Sequence, residues 1–217
     1  MGTVWAVIVA AGDGRRFGRQ KQFASLAGRL VVEWSTTAAR PCVDGIVLVV
    51  PADRLSDPDV HAGADLVVVG GASRSDSVRA GLAVVPGDAE VILVHEAARP
   101  FASPQLFRAV IAAVTAGHAG AVPGVAVLDT IKQVKDGVVV STLDRSGLVA
   151  VQTPQAFRAE ALRVAHASEG AATDDAALLE AAGFEVVVVE GEPSNRKLTD
   201  AGDLDLFEHL VAEGTRS

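Results

Sequence analysis

The sequence predicts an α/β fold, a mostly parallel sheet flanked by helices and carrying one protruding β-arm. Three observations predict it. Short Val/Ile/Leu runs alternate with longer stretches whose apolar residues recur near a 3.6-residue period. The first run empties into a glycine-rich turn, Ala10-Ala11-Gly12-Asp13-Gly14, at the strand end where sheets of this class bind ligands. One stretch, Thr130–Thr142, breaks the alternation with polar residues around Asp136-Gly137, a strong type I′ turn signal.

In chain order, Val4–Ala10 reads as a strand buried on both faces, since Val4, Val7, Ile8 and Val9 leave it no polar side. A helix over Val31–Ala39 and strands over Ile46–Val50 and Leu66–Val69 follow, then a helix over Ser75–Val84 and a strand over Val91–Val94. Ser103-Pro104 supplies an N-cap and first helical residue for Leu106–Thr115, and Ala121–Val127 is the next strand. After the hairpin come helices over Ala159–Ala167 and Asp174–Ala182, the second with Thr173 as N-cap and Gly183 just past its end. A strand over Phe184–Val189 and a helix over Asp203–Ala212, stopped by Gly214, complete the pattern. A hairpin that leaves an α/β core cannot bury both of its faces, so either a partner chain covers it or it folds back on its own sheet.

With 217 residues, 49% hydrophobic and 21% charged, the chain has the size and composition of one folded domain, 1–217, with 128–147 as the arm. Runs such as Val47–Val50 and Val186–Val189 are far shorter than the ~20 residues of a membrane helix, and no basic-then-apolar leader precedes Val4. A cytoplasmic protein without membrane contact is expected. Cys42 is the only cysteine, and it reads as a packing thiol. The five histidines show no metal-ligand spacing, so any metal should arrive with a substrate. A net charge of −8 argues against a nucleic-acid surface and makes the basic residues after Gly14 a local site.

Those residues, Arg15, Arg16, Arg19 and Lys21, follow glycines that let backbone N–H groups approach an anion, which is the chemistry of a triphosphate cradle. The dinucleotide fingerprint is excluded because Phe17 stands where its third glycine belongs, although Glu33 lies near the distance of a ribose-binding acid. A P-loop is excluded because no Gly-Lys-Ser/Thr triplet closes the run. The plain alternative is a Gly-rich turn with solvated arginines.

Further along, VHEAARP places Glu96 and Arg99 at the end of a buried strand. Glu96 suits a ribose hydroxyl or a magnesium-bound water and Arg99 suits a phosphate, the alternative being a local ion pair; His95 reads as packing. Small residues in Gly70-Gly71-Ala72-Ser73 leave room for a planar base, with Ser77 as donor and acceptor, while Ser75 and Asp76 also read as first-turn caps. Lys197 sits in a loop before the last helix, where a solvated lysine is equally ordinary.

Taken together, AAGDGRR, GGASRSDSV, VHEAARP, DTIK, LDRSGL, QTPQAF, ATDDA and NRKLT, in this order, resemble the 2-C-methyl-D-erythritol 4-phosphate cytidylyltransferase family over nearly the whole chain. The resemblance implies a Rossmann-like nucleotidyltransferase fold, a homodimer interlocked through the β-arm, and CMP transfer from CTP to the polyol phosphate with release of pyrophosphate. A related acceptor such as ribitol 5-phosphate, or a nucleotide-binding module without turnover, are the competing readings. It further implies that Ala10, Ala11, Gly12 and Gly14 line the CTP pocket, that Gly71 and Ser77 read cytosine, and that Glu96 serves the nucleotide. Arg16, Lys21 and Lys197 are implied as the catalytic cations, with Mg²⁺ held mainly by substrate phosphates. For the acceptor, Arg99, Thr153 and Thr173 are implied on one subunit, and Thr130 and Arg145 on the partner's arm. Three positions depart from the family pattern: Glu96 replaces the usual Asp, Ala72 a frequent Asp, and Gln20 the usual Pro before Lys21. The last predicts a less preorganised Lys21.

Overall fold

A computed structural model describes residues 2–12, 14, 20–61, 63–167 and 172–214. Strands run over Thr3–Val9 (β1), Ser25–Leu26 (β2), Arg29–Leu30 (β3), Gly45–Val50 (β4), Leu66–Val69 (β5), Ala89–Glu96 (β6) and Gly120–Ala126 (β7). They continue with Lys132–Lys135 (β8), Val138–Thr142 (β9), Val149–Val151 (β10), Gln155–Arg158 (β11) and Val186–Glu190 (β12). The α-helices are Val31–Ala39 (α1), Arg74–Leu82 (α2), Pro104–Thr115 (α3), Ala159–Ala167 (α4), Asp175–Ala181 (α5) and Ala201–Gly214 (α6).

The main sheet has the order β10-β7-β11-β6-β1-β4-β5, with β12 also paired to β7. β6, β1, β4 and β5 are mutually parallel, while β11 runs antiparallel between β6 and β7. Along β1 the side chains alternate between two buried clusters. Ala6 and Ile8 pack with Leu106, Phe107 and Val110 of α3, and Val7 packs with Val78 and Leu82 of α2 and Leu162 of α4. Burial on both faces explains why the strand carries no polar side. A third cluster, Leu26, Val31, Leu198 and Phe207, docks α6 beside the site.

The hairpin forms as expected. Asp136 and Gly137 both have positive φ, 52° and 79°, as a type I′ turn requires. β8 and β9 pair only with each other and leave Leu128 82% and Val138 65% exposed. Two expected helix ends are corrected. Asp174, not Thr173, caps α5, because its carboxylate accepts the Ala177 N–H at 3.0 Å. Gly214 lies inside α6 rather than beyond it, and Gly183, with φ of 83°, ends α5 as expected.

Candidate active site

A cavity of about 680 Å³ opens at the carboxyl ends of β1 and β6, floored by Val9 and Glu96. This is the edge where the backbone leaves the sheet and its polar groups become available to a ligand. Ala10, Ala11, Gly12 and Gly14 form one wall, and Gly14 takes a φ of 64° that a side chain would disfavour. The wall is held from behind by Gln22, a buried residue that sequence reasoning did not single out. Its amide donates to Ala10 O at 2.5 Å and Gly12 O at 2.8 Å, which fixes the loop's carbonyls.

Asp13, Arg15, Arg16 and Arg19 lie outside the described residues. Lys21 lines the cavity from a short 3₁₀ turn, Lys21–Phe23. Gln20 supplies restraint of its own where proline was expected: its amide lies 3.3 Å from both Asp53 carboxylate oxygens, and Arg54 Nε donates to its Oε1 at 3.1 Å.

Gly71, Ala72 and Ser73 make the opposite wall. A β-carbon on Gly71 would stand 2.2 Å from Asp76 Cβ, so only glycine lets the chain pass the first turn of α2. Ser73 and Asp76 form a capping box there, as Asp76 promised. Ser77 lines the cavity, but its hydroxyl accepts the Gly71 N–H at 3.2 Å and donates to Ser73 O at 2.9 Å, holding the wall's shape.

On the floor, Glu96 gathers cations from three distant segments. Lys197 Nζ is 2.7 Å from Oε2 and 2.8 Å from Oε1, Arg99 Nε is 3.5 Å from Oε2, and Arg74 Nε is 3.6 Å from Oε1. Burial works to raise the Glu96 pKa, but Lys197, Arg74 and Arg99 together hold the carboxyl below its ordinary range. Arg74 is the cavity-lining cation that the sequence did not reveal; its Nη2 donates at 2.7 Å to Asp175, which is fully buried. Among the described residues three cations, Lys21, Arg74 and Lys197, line the cavity against the one carboxylate of Glu96, so it carries a positive surplus within a chain of net charge −8.

Beneath Glu96 lies a saturated neutral chain. Glu96 N–H donates to Thr153 Oγ1 at 3.0 Å, the Thr153 hydroxyl lies 3.1 Å from His95 Nδ1, and His95 Nε2 is 3.2 Å from Arg99 O. Arg99 O can only accept, so Nε2 carries a proton; burial pushes the ring's pKa down to about 4 and keeps it neutral, which leaves Nδ1 to accept from the Thr153 hydroxyl. Thr153 therefore does not line the cavity; it is buried and positions Glu96. Thr153→Val should lower stability by about 1–3 kcal/mol by orphaning the Glu96 N–H, and Thr153→Ser should recover most of that in thermal melts. Arg99 also sits off the cavity wall, its Nη1 donating to Asn195 O at 2.9 Å. Thr173, Thr130 and Arg145 are exposed and outside the wall, and Arg145 donates to Leu128 O within the arm. Glu33, the acid near ribose-binding distance, accepts the Leu30 N–H at 2.7 Å at the start of α1.

The family profile described as IspD, 2-C-methyl-D-erythritol 4-phosphate cytidylyltransferase, matches residues 4–213. The chain belongs to this family. It is 43% identical over 218 residues to the 2-C-methyl-D-erythritol 4-phosphate cytidylyltransferase of Nocardia farcinica, covering 97% of this chain and 94% of that one. The crystal structure of the Thermus thermophilus protein of the same name superposes with a TM-score of 0.82 at 33% identity, covering 95% of this chain and 98% of that one. A bifunctional enzyme IspD/IspF of Nitratidesulfovibrio vulgaris is 44% identical over 226 residues. That match takes in 94% of this chain, and the chain spans only 57% of the bifunctional relative's length. The expected nucleotidyltransferase α/β fold is thus the observed one, with β11 and β10 as the reversed members of its sheet.

Proposed function

We propose that this chain transfers CMP from CTP to 2-C-methyl-D-erythritol 4-phosphate and releases pyrophosphate. The observation that carries the reading is the cavity itself, where Lys21, Lys197 and Arg74 converge on a glycine-walled strand end in a member of this family. An oxygen of the acceptor's phosphate attacks the α-phosphorus in line; one P–O bond forms as the bond to pyrophosphate breaks, without an enzyme-bound intermediate. Two phosphorylated substrates repel each other, so the residues' work is to place them and to neutralise the charge that grows on the α-phosphoryl oxygens. Lys197 and Lys21 serve that charge, joined by Arg16 on the strength of its motif. Cytosine lies against the Gly71–Ala72 backbone, in a slot whose shape Ser77 maintains.

Among the described residues no three His, Cys, Asp or Glu side chains cluster as a metal site, and Glu96 is the one described carboxylate that lines the cavity. That donor set fits Mg²⁺ that arrives on the triphosphate and would be held mainly by its phosphates, with Glu96 reaching it only through a bound water. When bound, Mg²⁺ supplies further neutralisation of phosphate charge.

The acceptor side of the proposal uses Arg99 and Thr173 of one subunit and Thr130 and Arg145 of a partner's arm, in a cytoplasmic homodimer. The support is the arm's exposed apolar residues, Leu128, Val134, Val138, Val139 and Val140, which alternate over both sides of the hairpin and which a second copy would cover. Mixing Arg16→Ala with Arg145→Ala subunits should restore activity, because one composite site per mixed dimer keeps both arginines; no recovery despite subunit exchange would sink the shared site.

The test of the whole reading is pyrophosphate release from a panel of nucleoside triphosphates crossed with phosphorylated polyols. CTP with 2-C-methyl-D-erythritol 4-phosphate should be the productive pair. Faster turnover with ribitol 5-phosphate would reassign the acceptor. Tight CTP binding by calorimetry with no pyrophosphate from any pair would make the chain a binding module.

A further inference from the structure

The cavity wall contains one cation whose anchorage leads away from the site. Arg74, the first residue of α2, reaches Asp175, the first residue of α5 and 101 positions later in the chain. Asp175 is fully buried, and both of its oxygens are spent: Oδ2 accepts from Arg74 Nη2 at 2.7 Å, and Oδ1 lies 2.9 Å from Nε2 of the buried His166 on α4. Through its Nε, Arg74 is engaged only loosely. Nε stands 3.6 Å from Glu96 Oε1, beyond hydrogen-bond length, and has no hydrogen-bond partner among the described residues. The guanidinium is therefore set from behind, by Asp175 and His166, and not by the acid it faces.

Lys197 and Glu96 are paired at 2.7 Å, so a phosphate that recruits Lys197 must compete with Glu96. A carboxylate free to follow the ammonium would carry negative charge toward the phosphates. We propose that Arg74 is a positioning residue: fixed by Asp175 and His166, it holds Glu96 back when Lys197 turns to the nucleotide. The unspent Nε donor is the group that closes on Glu96 at that moment, and Arg99, 3.5 Å from Oε2, holds the other oxygen. A planar guanidinium can serve Asp175 and Glu96 through separate N–H groups held in one fixed plane, whereas an ammonium on a flexible stem cannot keep both directions. The inference rests on the nucleotidyl-transfer reading above, and the wild-type pyrophosphate assay tests that reading separately.

Four proteins test it: wild type, Arg74→Lys, His166→Ala and His166→Gln. In Arg74→Lys, kcat should fall roughly 10–100-fold while KM for CTP stays within about threefold, since placement is lost and uniform binding is not. His166→Ala should shift kcat in the same direction by less, and His166→Gln, whose amide still donates to Asp175, should restore it. Nitrogen-15 spectra of the arginine Nε–H groups give a readout independent of turnover. The slowly exchanging Arg74 signal should persist in wild type and His166→Gln and broaden or vanish in His166→Ala. Arg74→Lys with a lowered melting temperature but wild-type kcat would make the contact a mere staple between α2 and α5 and overturn the inference. So would an unchanged Arg74 signal in His166→Ala, whether or not the wild type releases pyrophosphate and whether or not Arg74→Lys folds.

Discussion

Lys197→Ala should lower kcat by about 10²–10³-fold, the usual cost of removing one preorganised donor from a developing oxyanion. Its ammonium is the cation closest to Glu96 and stands on the cavity wall, with its side chain 38% exposed. Folding should hardly notice the change. Glu96 keeps Arg99 at 3.5 Å and Arg74 at 3.6 Å, so no buried charge is stranded, and a part-exposed lysine pair is worth only about 0–1 kcal/mol. Steady-state assays with CTP and the polyol phosphate, run beside thermal melts, separate the two quantities. A variant with kcat within threefold of wild type would remove Lys197 from the transition state, by the same reasoning that equates a tenfold rate change with about 1.4 kcal/mol. Lys197→Arg should recover little, because a planar fork does not reproduce a compact point charge.

Global stability should fall by about 3 kcal/mol as pH drops from 6.5 to about 4, and His95→Gln should abolish most of that slope. His95 is fully buried; desolvation above all, with Arg99 adding to it, pushes its pKa down to about 4 against the opposing pull of Glu96. The sign follows from proton counting. Between the unfolded value of 6.5 and the folded value of about 4, the unfolded chain binds a proton that the folded chain refuses, so acid favours unfolding. The stability is complete above 6.5 and is lost through that window. Glu96 and Asp175, both held below the ordinary carboxylate range, add their losses only at lower pH, as pH falls through their folded values. Urea titrations at half-unit steps from pH 7 to 4.5 read the slope. Equal slopes in wild type and His95→Gln would show that the ring is not the proton-refusing group.

Much of this architecture is written locally. α1 and α4 end where their apolar period ends, and Ser103-Pro104 starts α3 with the Ser103 hydroxyl accepting the Leu106 N–H at 3.1 Å. Glycine walls and the Asp136-Gly137 turn are legible because a required positive φ or a close backbone approach leaves few residue choices. The strands that escaped notice are short. β10 and β11 span Val149–Val151 and Gln155–Arg158, too few residues for a period, and β11 exists because β6 and β7 offer open edges on either side of it. Asp174 and Thr173 are adjacent cap-forming residues, and only the turn's actual path decides between them.

The order of apolar runs and turn residues by itself determined the α/β layering, the hairpin and the strand ends that carry Ala10, Gly12, Gly14, Gly71 and Glu96, because backbone preferences and burial act over a few residues at a time. Tertiary structure alone decided what each polar side chain touches. Arg74 finds Asp175 across 101 positions, Gln22 turns inward to the first loop, and Thr153 spends its hydroxyl on Glu96 and His95 instead of lining the cavity. A long or buried polar side chain takes whichever partner the packed sheet brings within about 3 Å, and sequence spacing carries no record of that distance.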